Sequence, residues 1–477
     1  MRSMRLLTIL LISAVLLLGV VIDRTRNPAE QLLASSSSLV PSADPTGSTW
    51  FCPGGSNSAG PARAGIEVIN TSADLTEVEL TAMGSGLSTE PVAETVSVEG
   101  GGRAVIALDS LVPGDPWSGA VVETSSGEVI VDQLFDGPTG TDRSPCLTQT
   151  ANSWIVPNGA TRIESDGEQM ILVLLNPFPD DAVVDVEFDA DVGLDSLDGV
   201  VAPAHRVTAI DITDEVTVAS RVSAILDVVS GRLVVERVQT HDSESARGLS
   251  VEMASPGGAP LTYMLTVGNS QDRTDVLTVT NPSHDEIAQV DVEIVADTDL
   301  ILDPIELTIH PRRTVTVNIP DESRLAGLEF LTLAVRSLSG IPVAASLDSV
   351  VVPGGDSVVG AASESGADVA SMSWLIPVEA ADSGVANVVV VNPSPVAVSR
   401  VSFSVLGPDG PTEISTVELG PSRRTSVSTE DLGGLQSVVS IVASSPIVAG
   451  IESAGLTSRS MSVGVRTGEA VAFSDLS

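Results

Sequence analysis

Two hydrophobic patterns alternate along the chain from about residue 48 onward. The first is a run of apolar residues that stops at an asparagine: "ILVLLNPFP" at Asn176, "VLTVTNPSH" at Asn281, "VVVVNPSPV" at Asn392 and, in weaker form, "IEVINTSAD" at Asn70. Residues branched at Cβ suit a buried pleated surface. Proline has no N–H to give to a ladder, and the asparagine before it can bond its own backbone and begin a turn. Each run therefore predicts a buried strand with a built-in stop. The second pattern follows it and alternates: "EVEL" with Val78 and Leu80, "VDVEF" with Val184, Val186 and Phe188, "VDVEI" with Val290, Val292 and Ile294, and "VSFSV" with Val401, Phe403 and Val405. A period of two predicts strands with one buried face and one wet face.

These patterns belong to a repeat of roughly 105 residues. An aromatic residue opens each unit: Trp50 in "STWFCPGG", Trp154 in "NSWIVPNG", Tyr263 in "LTYMLTVG" and Trp374 in "MSWLIPVE". Beyond each asparagine comes an arginine at the start of another alternating strand, Arg103, Arg206, Arg313 and Arg424. Each unit closes with two strands around a serine turn, at Ser126, Ser230, Ser339 and Ser445. Ser-Gly and Ser-Pro between β-rich runs read as hairpins. About seven short strands per unit without an amphipathic helix match an immunoglobulin-like β-sandwich. A four-bladed propeller fits less well, since a blade of ~45 residues is far shorter than this period. The expectation is all-β: four tandem immunoglobulin-like sandwiches over residues 48–151, 152–259, 260–371 and 372–477, arranged as a rod. The aromatic, asparagine and arginine ladders are read as core, turn and strand-start positions.

The N-terminus breaks this pattern. Residues 1–26 place Arg2 and Arg5 before an uninterrupted apolar run from Leu6 to Ile22, about long enough to cross a bilayer as one helix. No small-x-small cleavage site follows in "VVIDRTRNP" and there is no lipobox cysteine, so an uncleaved signal anchor is expected, with everything after Asp23 outside. Secretion after signal cleavage is the alternative. Residues 27–47 read as a Ser- and Pro-rich stalk.

Charge and composition narrow the chemistry. Acidic residues number 63 against 23 basic ones, giving a net charge of -40, and every basic residue is arginine. Without lysine there is no P-loop lysine, Schiff-base lysine or Ser-x-x-Lys pair. Nucleic acid is not an expected partner, because phosphates need cations. The two cysteines, Cys52 and Cys146, bracket the first unit, and an exported chain with an even count predicts that they pair. Two thiols without nearby histidine make half a zinc site at best.

The sequence of Trp-x-x-Pro opening, Asn-Pro strand end, Pro-x-x-Arg turn and closing "VVERV" (Glu236, Arg237) resembles a family of unknown function, found as anchored or secreted envelope proteins of high-GC Gram-positive bacteria. The resemblance covers nearly all of residues 48–477. It implies a place and a shape, and no reaction is attached to the family.

Candidate chemistry is sparse. His205, His241, His284 and His310 fall at unrelated points of the repeat, and none recurs beside a serine or cysteine nucleophile. Trp117 in "VPGDPWSGA" lies outside the aromatic ladder and reads as a loop residue, the one stacking candidate for a glycan in a chain with only 3% aromatic residues. Calcium is the possible cofactor: "FDADVGLDSLD" supplies Asp189, Asp191, Asp195 and Asp198, and "VADTDLILD" supplies Asp297, Asp299 and Asp303 at the matching place. Hard cations want several oxygens converging from a short loop, yet the terminal glutamate of a full calcium loop is missing. The functional expectation is a non-catalytic envelope protein, anchored in the membrane through residues 6–22, that supports or docks other envelope proteins or glycans. A glycan- or substrate-binding accessory of envelope polysaccharide synthesis or export is the alternative.

Overall fold

The computed structural model describes residues 39–476, apart from 45–46, 126, 163–166, 217, 244–245, 259, 269–272, 297–301, 326–327, 329, 352–359, 379–384, 408–409, 433–436 and 455–458. The expected anchor and most of the expected stalk lie outside these residues. Among the described residues, no helix is long and apolar enough to cross a membrane. The part of the chain from Ser38 to Ser477 is one compact unit built almost wholly of strands.

The first repeat unit contains β1 (Ser48–Ser56), β2 (Arg63–Asn70), β3 (Thr76–Gly84), β4 (Val92–Val98), β5 (Arg103–Ala107), β6 (Trp117–Thr124), β7 (Val129–Gly137) and β8 (Gly140–Pro145). Their pairings give one sheet in the order β4-β3-β6-β1 and another in the order β5-β2-β7-β8, touching through a single parallel pair, Ser56 with Arg63. The same two orders recur. In the second unit they are Gly193–Ala202, Ala182–Ala190, Val222–Ser230 and Ser153–Val156 over Arg206–Asp211, Gln169–Asn176, Val234–Asp242 and Arg247–Met253. In the third they are Ile305–Ile309, Ala288–Ala296, Phe330–Ser337 and Thr262–Gly268 over Arg313–Asn318, Arg273–Asn281, Ala344–Val351 and Ala361–Glu364. In the fourth, the long strand Val438–Ala454 serves both sheets, pairing first with Ser371–Pro377 and then with Val385–Asn392. Among the described residues, the first three units thus have eight principal strands each, one more than expected, and in the fourth one long strand takes the place of two. Their order also differs from the A-B-E-D over C-F-G order of immunoglobulin domains.

The asparagine ladder is a structural corner repeated four times. Asn70, Asn176, Asn281 and Asn392 are fully buried at the ends of β2 and its counterparts. In the second unit, Asn176 Nδ2 donates to the carbonyls of Asp180 and Ala202, both at 2.9 Å, and its Oδ1 accepts from the N–H of Phe178 at 3.0 Å. Asn70, Asn281 and Asn392 make the equivalent three bonds. The facing turn holds a residue with positive φ in every unit, Gly101, His205, Arg312 and Ser422, each donating its N–H back to the asparagine corner. Two histidines are thereby accounted for as turn residues, His205 within this turn and His310 just before its counterpart.

Trp50, Trp154, Tyr263 and Trp374 are buried in the cores, as the ladder predicted. The continuous apolar runs have a further reason. In Gln169–Asn176, Leu172 and Leu174 face the second unit's own core, whereas Ile171, Val173 and Leu175 join the core cluster of the first unit. A strand buried on both faces reads as a continuous hydrophobic run. The units are therefore packed face to face.

That packing closes on itself and corrects the expected rod. The last strands of the four units, β8, Arg247–Met253, Ala361–Glu364 and Arg459–Val463, meet one another in sequence, and the fourth returns to the first. Leu375, Val438 and Val465 of the fourth unit lie in the first unit's core cluster. The expected stalk also ends earlier than residue 47. Leu39, Val40 and Ala43 are buried in three different core clusters, Leu39 N–H donates to Asp368 Oδ2 at 2.9 Å, and Ser42 pairs with Arg466. The folded part thus begins no later than Leu39, because this short apolar stretch fills the space where the first, third and fourth units converge.

Candidate functional site

The arginines at the first or second position of β5 and its counterparts lock neighbouring units. Arg206 of the second unit donates to the carbonyls of Thr89 at 2.6 Å and Leu87 at 2.8 Å in the first. Arg313 of the third pairs with Asp189 of the second at 2.9 Å. Arg424 of the fourth donates to the Leu331 carbonyl of the third at 2.7 Å. Arg103 of the first reaches the carbonyls of Val378 and Ser437 in the fourth at 3.0 and 2.9 Å. The ladder is not in one register, however. Arg206 and Arg313 pair with the corner asparagine, whereas Arg103 and Arg424 pair with the residue before it.

The residues singled out for chemistry fall in different places. Cys52 and Cys146 form a disulfide with Cα atoms 4.8 Å apart, beside a two-way backbone pairing of Phe51 and Leu147. Trp117 is half-buried and is the first residue of β6, not a loop residue, packed against the first unit's core. Asp189 is buried between Arg221, Arg313 and the Thr314 N–H, so its oxygens serve the junction of units two and three. Asp191 accepts from Ser220, while Asp195 and Asp198 are exposed on the strand Gly193–Ala202. Asp297 and Asp299 lie outside the described residues, and the Asp303 carbonyl accepts from Arg324 at 3.1 Å. Among the described residues, no three His, Cys, Asp or Glu side chains come together as a metal site.

At the centre, Ser144, Glu252, Glu364 and Ser462 occupy the same register position of the four closing strands. They line a cavity of about 40 Å³ together with Leu39, Val40 and Pro41, room for little more than a water molecule. Burial pushes the Glu364 carboxyl up to about 8; the Thr266 N–H and hydroxyl pull it down, and Glu452 and Glu252 push it further up. Glu252 is raised as well, by burial first, against the attraction of Arg237 at 3.4 Å. Burial also raises Glu236, whose Oε2 accepts from Gln133 of the first unit at 2.5 Å.

A larger cleft of about 360 Å³ opens between the second and third units, within the range of small-molecule sites. Arg221, Arg237, Gln239, His241 and Asn158 line it from one side, and Thr274, Thr316 and Asp348 from the other. Arg237, Gln239 and His241 alternate on the strand Val234–Asp242. The first two pair with Leu172 and Met170, members of the unit's own core, and so share their inward face. The counterparts of Arg237 are Gln133, Leu347 and Ile451, and those of Gln239 are Phe135, Ser349 and Ser453. Among the described residues, only the second unit carries a charge on this inward row, a break in the repeat of the kind functional sites produce. Gln239 holds the loop at Ala160 through bonds in both directions, 3.0 and 3.1 Å, and His241 Nδ1 stands 3.4 Å from Glu168. Sequence reasoning named Arg237 as part of the closing "VVERV" motif and His241 as one of four scattered histidines, but did not place them with Gln239 on one face. The row's signal was the polar spacing of "VVERVQTH" inside an otherwise apolar strand.

Comparison with known proteins agrees with the reading of an uncharacterised family over part of the chain. The profile of a family of unknown function (DUF5719) matches residues 40–262, which begins at the buried Leu39–Ala43 stretch and ends at the opening of the third unit. No curated protein matches the chain. Among solved structures, Thermotoga maritima 1070 has 13% identity, with 22% of this chain and 94% of that one covered, at a TM-score of 0.20. A tetra-tandem repeat from the extending region of a large adhesion protein has 13% identity, covers 84% of this chain and 95% of that one, and has a TM-score of 0.10. Streptomyces avermitilis α-L-rhamnosidase, complexed with L-rhamnose, has 10% identity over 92% of this chain and 44% of that one, at a TM-score of 0.15. At such TM-scores these likenesses carry no argument about this chain.

Proposed function

We propose that the protein is a non-catalytic, membrane-anchored component of the cell envelope, of the kind found in high-GC Gram-positive bacteria. Residues 6–22 form its anchor, and its external part is a closed set of four β-sandwich units that supports or docks other envelope components. The observation that carries this reading is the use made of the recurring polar residues. The four asparagines each hold a corner and the four arginines each hold a neighbouring unit. A repeat whose polar positions are spent on architecture is suited to presenting a surface. Protease added to intact, wall-stripped cells is expected to remove the external part and leave a short stub, and crosslinking in such cells is expected to recover other envelope proteins. A chain untouched by external protease, or a mature N-terminus between residues 23 and 47, would overturn the anchored topology; the absence of any crosslinked envelope component would overturn the docking role.

The cleft between units two and three favours a second reading, a substrate-binding accessory of envelope polysaccharide synthesis or export. A ligand of that process recovered with the purified protein supports it over the first.

A further inference from the structure

We propose that the cleft between the second and third units binds a small organic anion, a carboxylate or phosphate carried on a hydroxylated body, with Arg221 as its ion-pair partner. The inference deepens the ligand-binding reading and is independent of the docking role. The cleft is large enough to enclose a molecule of sugar size. Its uncommitted groups are mostly donors. Arg221 spends only Nη1, on the Asp189 carbonyl at 3.3 Å and its carboxylate at 3.4 Å, so Nε and Nη2 have no partner among the described residues. Arg237 is 1% exposed, and its Nε is buried without a hydrogen-bond partner while Nη2 is shared among Ser250, Ser363, Asp348 and Glu252. A buried donor left unmet costs stability unless something answers it. The Asp348 carboxylate is already taken by Arg237 and Ser363, and Glu168 faces His241. What the two guanidiniums lack is therefore an acceptor, and an oxyanion supplies several at once with the geometry a guanidinium fork matches. Asn158, Thr274 and Thr316 line the remainder, and side-chain amides and hydroxyls pair with ligand hydroxyls as donors or acceptors.

The test is calorimetric titration of the full-length chain in mild detergent with glucuronate, glucose 1-phosphate and glucose. Saturable binding of at least one of the two anions is expected, with glucose at least tenfold weaker; the stronger anion tells carboxylate from phosphate. R221Q should weaken that binding at least tenfold, and T274W, which fills the cleft from the third unit, should abolish it, both with the β-sheet circular dichroism spectrum retained. Absence of saturation with all three probes up to about 10 mM, a range in which even weak sites fill, overturns the proposal. So does equal binding of glucose, or full anion affinity in both variants. The protease and crosslinking results do not bear on these outcomes, so the two readings fail separately.

Discussion

Arg103 in the first unit donates to the carbonyl of Ser437 in the fourth at 2.9 Å, joining the beginning of the folded chain to its last quarter. With its second bond to Val378, this side chain fastens the seam at which the four units close. Both acceptors are backbone carbonyls, so the interaction depends on two strand ends being held side by side. R103Q keeps some hydrogen-bonding capacity and loses the charge. It is expected to cost about 1.5–3 kcal/mol, the range for hydrogen bonds to a charged group. Amide exchange should quicken around residues 377–378 and 437–439 ahead of the second unit. Uniform quickening throughout the chain would show that the seam has no separate role.

The corner asparagines should be less tolerant. Asn281 is fully buried, and N281A removes two donors and an acceptor at once, leaving the Glu286 and Ile309 carbonyls and the Ser283 N–H without it. Each buried group left unsatisfied costs about 1–3 kcal/mol, so the urea midpoint is expected to fall by an amount equal to at least ~2 kcal/mol. N281D, which retains the acceptor and loses the donors, should fall between N281A and the native chain. Equal midpoints for all three proteins would contradict the bonding described.

These corners were legible in the sequence because their chemistry is local. An asparagine that bonds the backbone two residues ahead, followed by proline, leaves a signature readable without the fold. The core aromatics and the alternating strands were legible for the same reason. The partners of the arginines were not: Arg103, Arg206 and Arg424 donate to main-chain carbonyls, which every residue possesses and none advertises. Closure was hidden in the short last strands, where Ser144, Glu252, Glu364 and Ser462 have the composition of a solvated edge. The double-sided burial of "ILVLLN" was visible as an unbroken apolar run, yet such a run does not say which neighbour covers its second face.

The central glutamates give a pH dependence of definite sign. Glu364 keeps its proton in the folded state up to about pH 8, whereas a carboxyl in the unfolded chain releases it near 4.5. Between those values the folded state binds more protons than the unfolded one. Stability from this group is therefore full below about pH 4.5, falls as pH rises through the window, and levels off above about 8. The slope contributed is at most about 1.4 kcal/mol per pH unit. E364Q should match the native protein at pH 5 and exceed it at pH 8.5 in urea midpoint. Parallel curves for the two proteins would mean that Glu364 is already ionised in the fold.

The disulfide closes a span of 94 residues within the first unit. A loop of that length corresponds to about 4–5 kcal/mol in the chain-entropy model. The double variant C52A/C146A is expected to lose stability of that order, with the largest gain in amide exchange in β1 and β8, the strands next to the two cysteines. Unchanged thermal melting would show that the backbone pairing of Phe51 and Leu147 holds the unit closed without it.

Removal of one whole unit distinguishes a closed assembly from a row of independent sandwiches. Deleting residues 152–259 would strip the first unit of Ile171, Val173, Leu175, Val207 and Val238, all buried in its core cluster. At about 1.5–3 kcal/mol for each buried side chain, that loss is on the order of 10 kcal/mol. A typical domain has a total stability of about 5–15 kcal/mol, so the first unit should not keep its native state. The Arg206 lock would go with it, and Glu187, Asp189 and Asp227 would no longer hold Arg312 and Arg313 of the third unit. The native chain is accordingly expected to melt in one calorimetric transition from the first unit to the fourth, and the deletion to give aggregated or partly unfolded protein. If the three remaining units instead melted independently at the native midpoint, the faces between units would be incidental contacts, and a linear row of self-sufficient sandwiches would describe the protein better.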